Sequence, residues 1–216
     1  MAKADIVECV LELRSRGFVC LPLSKGGKHL DFPAMGLDPI HIRSRRKDMK
    51  ELAFTSVAFA FAQYPPEAAT VRHWFEGHDG NIGILGGFAD LVILDFDKPS
   101  VFERWREKNA SLCGSTPVEQ TPSGFHVYLK CRTPRLSSSL HMGIRRAGHI
   151  KALGGYAVSS PSILKDGSTY RWLRDQSLFD VEPKYVDSVE ALSLRPTSRL
   201  KQSYDRLLGR GFFEPQ

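Results

Sequence analysis

The chain has 216 residues, of which 42% are hydrophobic and 25% charged, with a net charge of +6. That is enough apolar material for the core of one large domain or two small ones, and the basic balance suits a polyanionic partner. The four cysteines, Cys9, Cys20, Cys113 and Cys131, form no C-x-x-C pair, which argues against a zinc knuckle. The longest apolar stretch, "LAFTSVAFAFA" at 52–62, falls well short of the ~20 residues a membrane span needs. The opening "MAKADIVECVLELRSRGF" lacks the apolar region of a signal peptide, so the expectation is a reducing, cytoplasmic setting with no membrane partner.

Apolar periodicity predicts a helix over 3–16 with Ile6, Val7, Val10, Leu11 and Leu13 on one stripe and Gly17 as its stop. "FVCLPL" at 18–23 reads as a strand ended by the glycine turn "SKGGK", which carries Lys25 and Lys28. An irregular basic stretch follows, through "HIRSRRKDMK". Pro65 and Pro66 open a second helix, with Val71, Trp74 and Phe75 inward. "NIGILGG" at 81–87 and "LVILDFD" at 91–97 read as strands joined by a glycine-rich turn. Ser100 is the expected N-cap of the helix "VFERWREKNA". "PVEQTPSGFHVYLKC" gives strand, turn, strand, and "GHIKALGGYAVSSPS" two short strands about a Gly-Gly turn. "STYRWL" is the last strand, and the tail from 183 reads as helical at "VDSVEALS" and "SRLKQSYDRLLGRG". Mixed order with several hairpins makes the fold class α+β.

The strand Leu91–Leu94 is apolar throughout, as in a strand buried on both faces, yet it ends in Asp95 and Asp97. Side chains two apart on a strand share a face, so the two carboxylates project together. Poorly solvated, they repel each other and need a partner, and a divalent cation supplies one. A local reading also stands, in which Asp97 opens the turn before Lys98 and Pro99 and Asp95 caps nearby backbone. In "TPSGFHVYL", Gly124 permits close backbone approach to an anion and Ser123 adds a hydroxyl. His126, Tyr128 and Lys130 share one face of the following strand, and His149 and Lys151 form another same-face pair.

Taken in order, Lys28, "HWFEG", "NIGILGG", "LVILDFD", "SGFHVY", "GGYAVSSPS" and "YRW" resemble the bifunctional primase–polymerase (prim-pol) domain of the archaeo-eukaryotic primase superfamily, over roughly residues 18–173. The resemblance implies a prim-pol fold, with an RRM-like catalytic half, a smaller α/β half and a cleft between them. The expected division is a catalytic domain at 1–182 and a helical C-terminal extension at 183–216. It further implies a template-dependent nucleotidyltransferase using two Mg²⁺ or Mn²⁺ ions and (d)NTPs on single-stranded or primed DNA, in a family often fused to a helicase domain. Asp95 and Asp97 would be the metal ligands. Ser123, Gly124 and His126 would contact the triphosphate, with Lys151 and Lys28 as further phosphate contacts. Arg43, Arg45, Arg46 and Lys47 are the candidate surface for the template backbone.

The family commonly has a third acidic residue seven positions before the Tyr of G-G-Y, and here that position is His149. Three arrangements follow. His149 is a ligand in a site that leans toward Mn²⁺, or two carboxylates and the phosphates suffice, or the chain is a weakened module that binds nucleotide or single-stranded nucleic acid. A two-metal nuclease is a further rival, but a nuclease has no triphosphate tail to hold at Ser123–His126.

Overall fold

Two antiparallel-rich sheets form the molecule, and the chain crosses between them rather than completing one before the other. The computed structural model describes residues 3–37, 57–133 and 136–197. The small sheet has the order β1-β2-β8, from Cys20–Leu23, Asn81–Leu85 and Tyr156–Ser159. The large, 8-stranded sheet runs β11-β6-β7-β3-β5-β4-β9, with β10 beside β5. Its strands are β3 (Leu91–Phe96), β4 (Val118–Gln120), β5 (Phe125–Cys131), β6 (Ser138–Met142), β7 (Arg145–Lys151), β9 (Arg171–Trp172), β10 (Lys184–Val186) and β11 (Arg195–Thr197).

Helices cover both sheets. α1 (Lys3–Ser15) and α2 (Ala68–Phe75) pack with helical residues 57–63 on the small sheet, through Val10, Leu13, Ala58, Ala62, Val71, Trp74 and Phe75. The spacing of Val71, Trp74 and Phe75 is that of one helix face, as the sequence predicts. α3 (Pro99–Lys108) and the single turn α4 (Ala110–Cys113) cover one face of the large sheet, where Phe102 and Trp105 pack on Phe96. α3 starts one residue earlier than expected: Lys98 is its N-cap, and Pro99 takes the first helical position that suits its fixed φ, which leaves Ser100 inside the first turn. This mixed architecture is α+β, as expected. Among the described residues no helix is long and apolar enough to cross a membrane.

Two features depart from the sequence reading. The strands flanking Gly154 and Gly155 do not pair with each other. β7 pairs β3 and β6, whereas β8 pairs β2 in the small sheet. The chain makes a second crossing between β2 and β3, at Gly86 and Gly87. A Cβ on Gly87 would stand 2.5 Å from Leu153 Cα, and one on Gly86 would stand 2.7 Å from the Lys151 carbonyl oxygen. The two crossings thus lie backbone against backbone, an approach only glycine allows. The second departure is the tail. "VDSVEALS" forms no α-helix; Lys184–Val186 adds a parallel strand to β5, Glu190–Leu192 is a short 3₁₀ turn, and Arg195–Thr197 pairs β6. Val189, Leu192 and Leu194 are drawn into the core under α3, which outweighs the local helical preference. The "SRLKQSYDRLLGRG" segment lies outside the described residues.

Gly87 has φ +82° as well as the Leu153 contact. Gly87→Ala is therefore expected to destabilise the fold by about 2 kcal/mol or more, read as a lower urea midpoint. A midpoint equal to wild type would show that the two crossings are not tightly apposed.

Candidate metal and nucleotide site

β3 lies between β7 and β5, and the register places Asp95 opposite His149 on one side and opposite His126 on the other. His126 is in turn opposite Glu119 of β4. Directly opposed residues share a face, so four titratable side chains form one row across the sheet. On the same face, Leu91, Ile93 and Tyr128 belong to the core under the small sheet. Asp95 is the point at which that face emerges from the core. The opposite face of β3 and β5 (Leu94, Phe96, Val127, Leu129) is sealed by α3.

The inner half of the row is dry. Glu119 and Ser159 are fully buried and His126 is nearly so. His126 places Nδ1 3.1 Å from Glu119 Oε2 and Nε2 3.4 Å from Asp95 Oδ1. Tyr128 Oη donates to Glu119 Oε2 at 2.9 Å, and Ser159 Oγ donates to Oε1 at 2.9 Å. The Ser160 N–H donates to that same Oε1. Glu119 therefore joins β4 of the large sheet to the end of β8 in the small one. Burial by itself drives the His126 imidazole toward neutrality, but its hydrogen bonds to Asp95 and Glu119 raise it to about 9. Burial likewise opposes ionisation of Asp95, and His126, Lys151 and His149 together outweigh it and hold the carboxyl at about 2. Burial and the Glu119 charge push the Tyr128 hydroxyl well above its ordinary value, which keeps it a donor. Tyr170 stacks on His126 at 6.0 Å and Trp172 leans on Tyr128 at 5.1 Å, so the "YRW" segment roofs the buried network.

The outer half is half exposed. Asp95, Asp97 and His149 each offer a donor atom, and these atoms lie within 4.8 Å of one another. His149 Nδ1 is 3.7 Å from Asp97 Oδ1 and 4.0 Å from Asp95 Oδ2. Burial and the neighbouring Lys151 charge lower the imidazole's pKa, outweighing the two carboxylates. A neutral imidazole beside two carboxylates is a donor set that fits a divalent cation. Lys151 Nζ stands 3.7 Å from Asp95 Oδ2, and Arg146 Nε 3.8 Å from Asp97 Oδ2. Arg146 also donates to His149 Nε2 at 2.6 Å.

The site thus gathers Asp95, Asp97, His126, His149 and Lys151. Ser123 and Gly124 sit beside it, in a turn where the Gly124 N–H donates to Thr121 Oγ1 at 2.9 Å. A Cβ on Gly124 would fall 1.9 Å from the Phe96 carbonyl oxygen, so this glycine is required by packing against the end of β3. Its N–H is already occupied, which corrects the expectation of a free anion-binding amide there. Lys28 is apart from the row. Its carbonyl accepts from Tyr156 Oη, its charge acts on Asp166, and it makes no ion pair with either aspartate among the described residues. Arg43, Arg45, Arg46 and Lys47 lie outside the described residues. Glu119, Ser159 and Arg146 were not singled out in the sequence. "PVEQ" gives Glu119 no motif, and Arg146 is an odd number of positions from His149, which strict alternation puts on the other face.

Residues 10–190 match the family described as bifunctional DNA primase/polymerase, N-terminal. The chain belongs to that family, whose members are associated with primase- and polymerase-type nucleotidyl transfer on DNA and nucleotide substrates. No curated protein matches it.

The raised His126 pKa gives stability that is fully present below about pH 6.5 and is lost as pH rises through about 9. In EDTA buffer, urea midpoints are expected to decline across that window, with a total near 3 kcal/mol at most. Glu119→Gln should lower stability at pH 6 by about 3 kcal/mol and flatten the decline. A wild-type profile that is level from pH 6 to 9 would contradict the buried imidazolium.

Proposed function

We propose that the chain is a template-dependent DNA primase–polymerase that joins nucleotides supplied as (d)NTPs, with two Mg²⁺ or Mn²⁺ ions held by Asp95 and Asp97 and with His149 as third ligand. The observation that carries this reading is the gathering of those three donors within 4.8 Å, at the rim of a rigid sheet and beside Lys151. Bound there, the ions supply Lewis-acid stabilisation to a transferring phosphoryl group. The residues of this chain then divide the remaining tasks. Lys151 shares the strand face of His149 and can meet a phosphate oxygen. Ser123 is exposed at the turn beside the end of β3 and offers a hydroxyl to the triphosphate tail. His126 has carboxylates at both ring nitrogens, so its first task is to hold Asp95 in orientation, and it reaches a phosphate only by releasing one of them. Catalysis of this kind depends mainly on positioning and charge stabilisation, which a fixed row of side chains supplies.

A second reading is favoured by one observation, the imidazole at the position where the family commonly has an acid. In that reading the chain binds nucleotides or single-stranded nucleic acid for a replication or defence assembly without transferring them.

Extension of a labelled primer on a DNA template, with Mg²⁺ or Mn²⁺, tests both. The wild-type chain is expected to incorporate nucleotides, and Asp95→Ala with Asp97→Ala to lose at least about a hundredfold while its circular dichroism is unchanged. His149→Asp should raise the Mg²⁺-to-Mn²⁺ ratio of rates, because a carboxylate is the harder donor. Normal extension by the double variant would rule out the metal role. Nucleotide binding by wild type with no incorporation under either metal would leave the binding-module reading.

A further inference from the structure

Beyond the acidic pair, the same face of the large sheet continues as a basic strip. His141 of β6 is opposite Arg146 of β7 and also opposite Arg195 of β11. The strands β6, β7 and β11 contain no aspartate or glutamate at all. A β-bulge makes the alignment. Leu140 pairs with Gly148 but His141 pairs with Arg146, so Ala147 is the extra residue. Its side chain and that of Leu140 enter the core below. The bulge thereby re-aims Arg146 onto the face of His149, where strict alternation would have turned it away.

Arg145, Arg146 and Arg195 are exposed. The β6–β7 hairpin closes through Gly143, at φ +60°, and Ile144, which is 95% exposed. A bare isoleucine at a two-residue hairpin tip gains nothing from the fold. With strands about 4.8 Å apart, the row from Arg146 to Arg195 spans about 10 Å. That is longer than one phosphate group and suited to a chain of them.

We propose that this face is the track of a nucleic-acid strand, with backbone phosphates along Arg146, His141 and Arg195 and with Ile144 covering a base or sugar at the hairpin tip. The proposal rests on the reading of Asp95 and Asp97 as the polymerising centre, since Arg146 contacts that centre and opens onto the strip. DNA is favoured over other polyanions because the track combines cations with an apolar tip and runs directly into that centre. It is separate from the Arg43–Lys47 stretch.

The test is fluorescence anisotropy of a labelled primed DNA over a salt series, with wild type, Arg145→Ala combined with Arg195→Ala, and Ile144→Ser. None of these residues contacts the acidic pair. The double variant is expected to bind about tenfold more weakly, with a slope of log affinity on log salt shallower by about 1.5, as for two lost phosphate contacts. Ile144→Ser should weaken binding about threefold at unchanged slope, through lost apolar contact. Binding of a labelled nucleotide with Mn²⁺ should stay at the wild-type level in all three. Wild-type affinity and slope in the double variant would overturn the track, and so would parallel loss of nucleotide binding, which would mean a disturbed centre. Wild-type DNA affinity in Ile144→Ser would remove the tip from the track. Failure of wild type to extend a primer would defeat the polymerase reading alone, because the salt slopes are measured without turnover.

Discussion

Glu119 is a carboxylate without access to water, and the arrangement of the site follows from how it is satisfied. One oxygen takes hydrogen bonds from Ser159 and Ser160, at the end of the small sheet, and the other faces Tyr128 and His126 of the large sheet. With its acceptor positions filled by donors it is held as the anion, and the His126 ring between it and Asp95 is held as the cation. An ordered line therefore runs from the small sheet through Glu119 and His126 to Asp95. A buried ion pair of this sort roughly balances its own desolvation, and an apolar set of the same shape could be as stable. What the network supplies is position. A shift of one sheet against the other strips Glu119 of two donors and leaves a buried charge exposed to its own desolvation cost.

That line makes the two aspartates unequal. Asp95 is set in place by His126 from within and by Lys151 from alongside. Asp97 lies past the last residue of β3, its side chain is 44% exposed, and its cationic neighbours Arg146 and His149 stand at 3.8 and 3.7 Å. One carboxylate is anchored and the other can adjust. A centre that must accept ligands of changing geometry benefits from such a division, with rigidity on the inner side and compliance on the outer.

Much of this was legible one strand at a time. Alternation puts Asp95 with Asp97, His126 with Tyr128, and His149 with Lys151, and all three pairs are found on the site face. The register between strands was not legible, because it depends on which strands are neighbours. The "NIGILGG" and "LGGY" glycines read as turns within local pairs. In the fold they are two apposed crossings between sheets, and their glycines answer to each other's backbone at a separation of more than sixty residues. Glu119 was hidden for the same reason, since its partners come from residues 126, 128, 159 and 160. Arg146 was hidden because a bulge breaks the period-two rule on which face assignments rest.

The charges around the row bear on the imidazole at 149. Asp95, Asp97 and Glu119 bring three negative charges, and His126, Lys151 and Arg146 bring three positive ones within contact of them. His149, with its pKa lowered, adds none at neutral pH. The centre is thus already balanced, whereas a carboxylate at 149 would leave it one charge negative and favour a bare cation. A balanced centre has little electrostatic reason to take up a divalent ion alone, and more reason to take one up with an anion that returns the sum toward zero. A phosphate tail is such an anion, and Lys151 and Arg146 are placed to turn from the aspartates toward it. On this argument the departure from the family pattern changes the order of assembly more than the capacity to assemble, because the residues that neutralise the empty centre are the same ones that would hold the nucleotide.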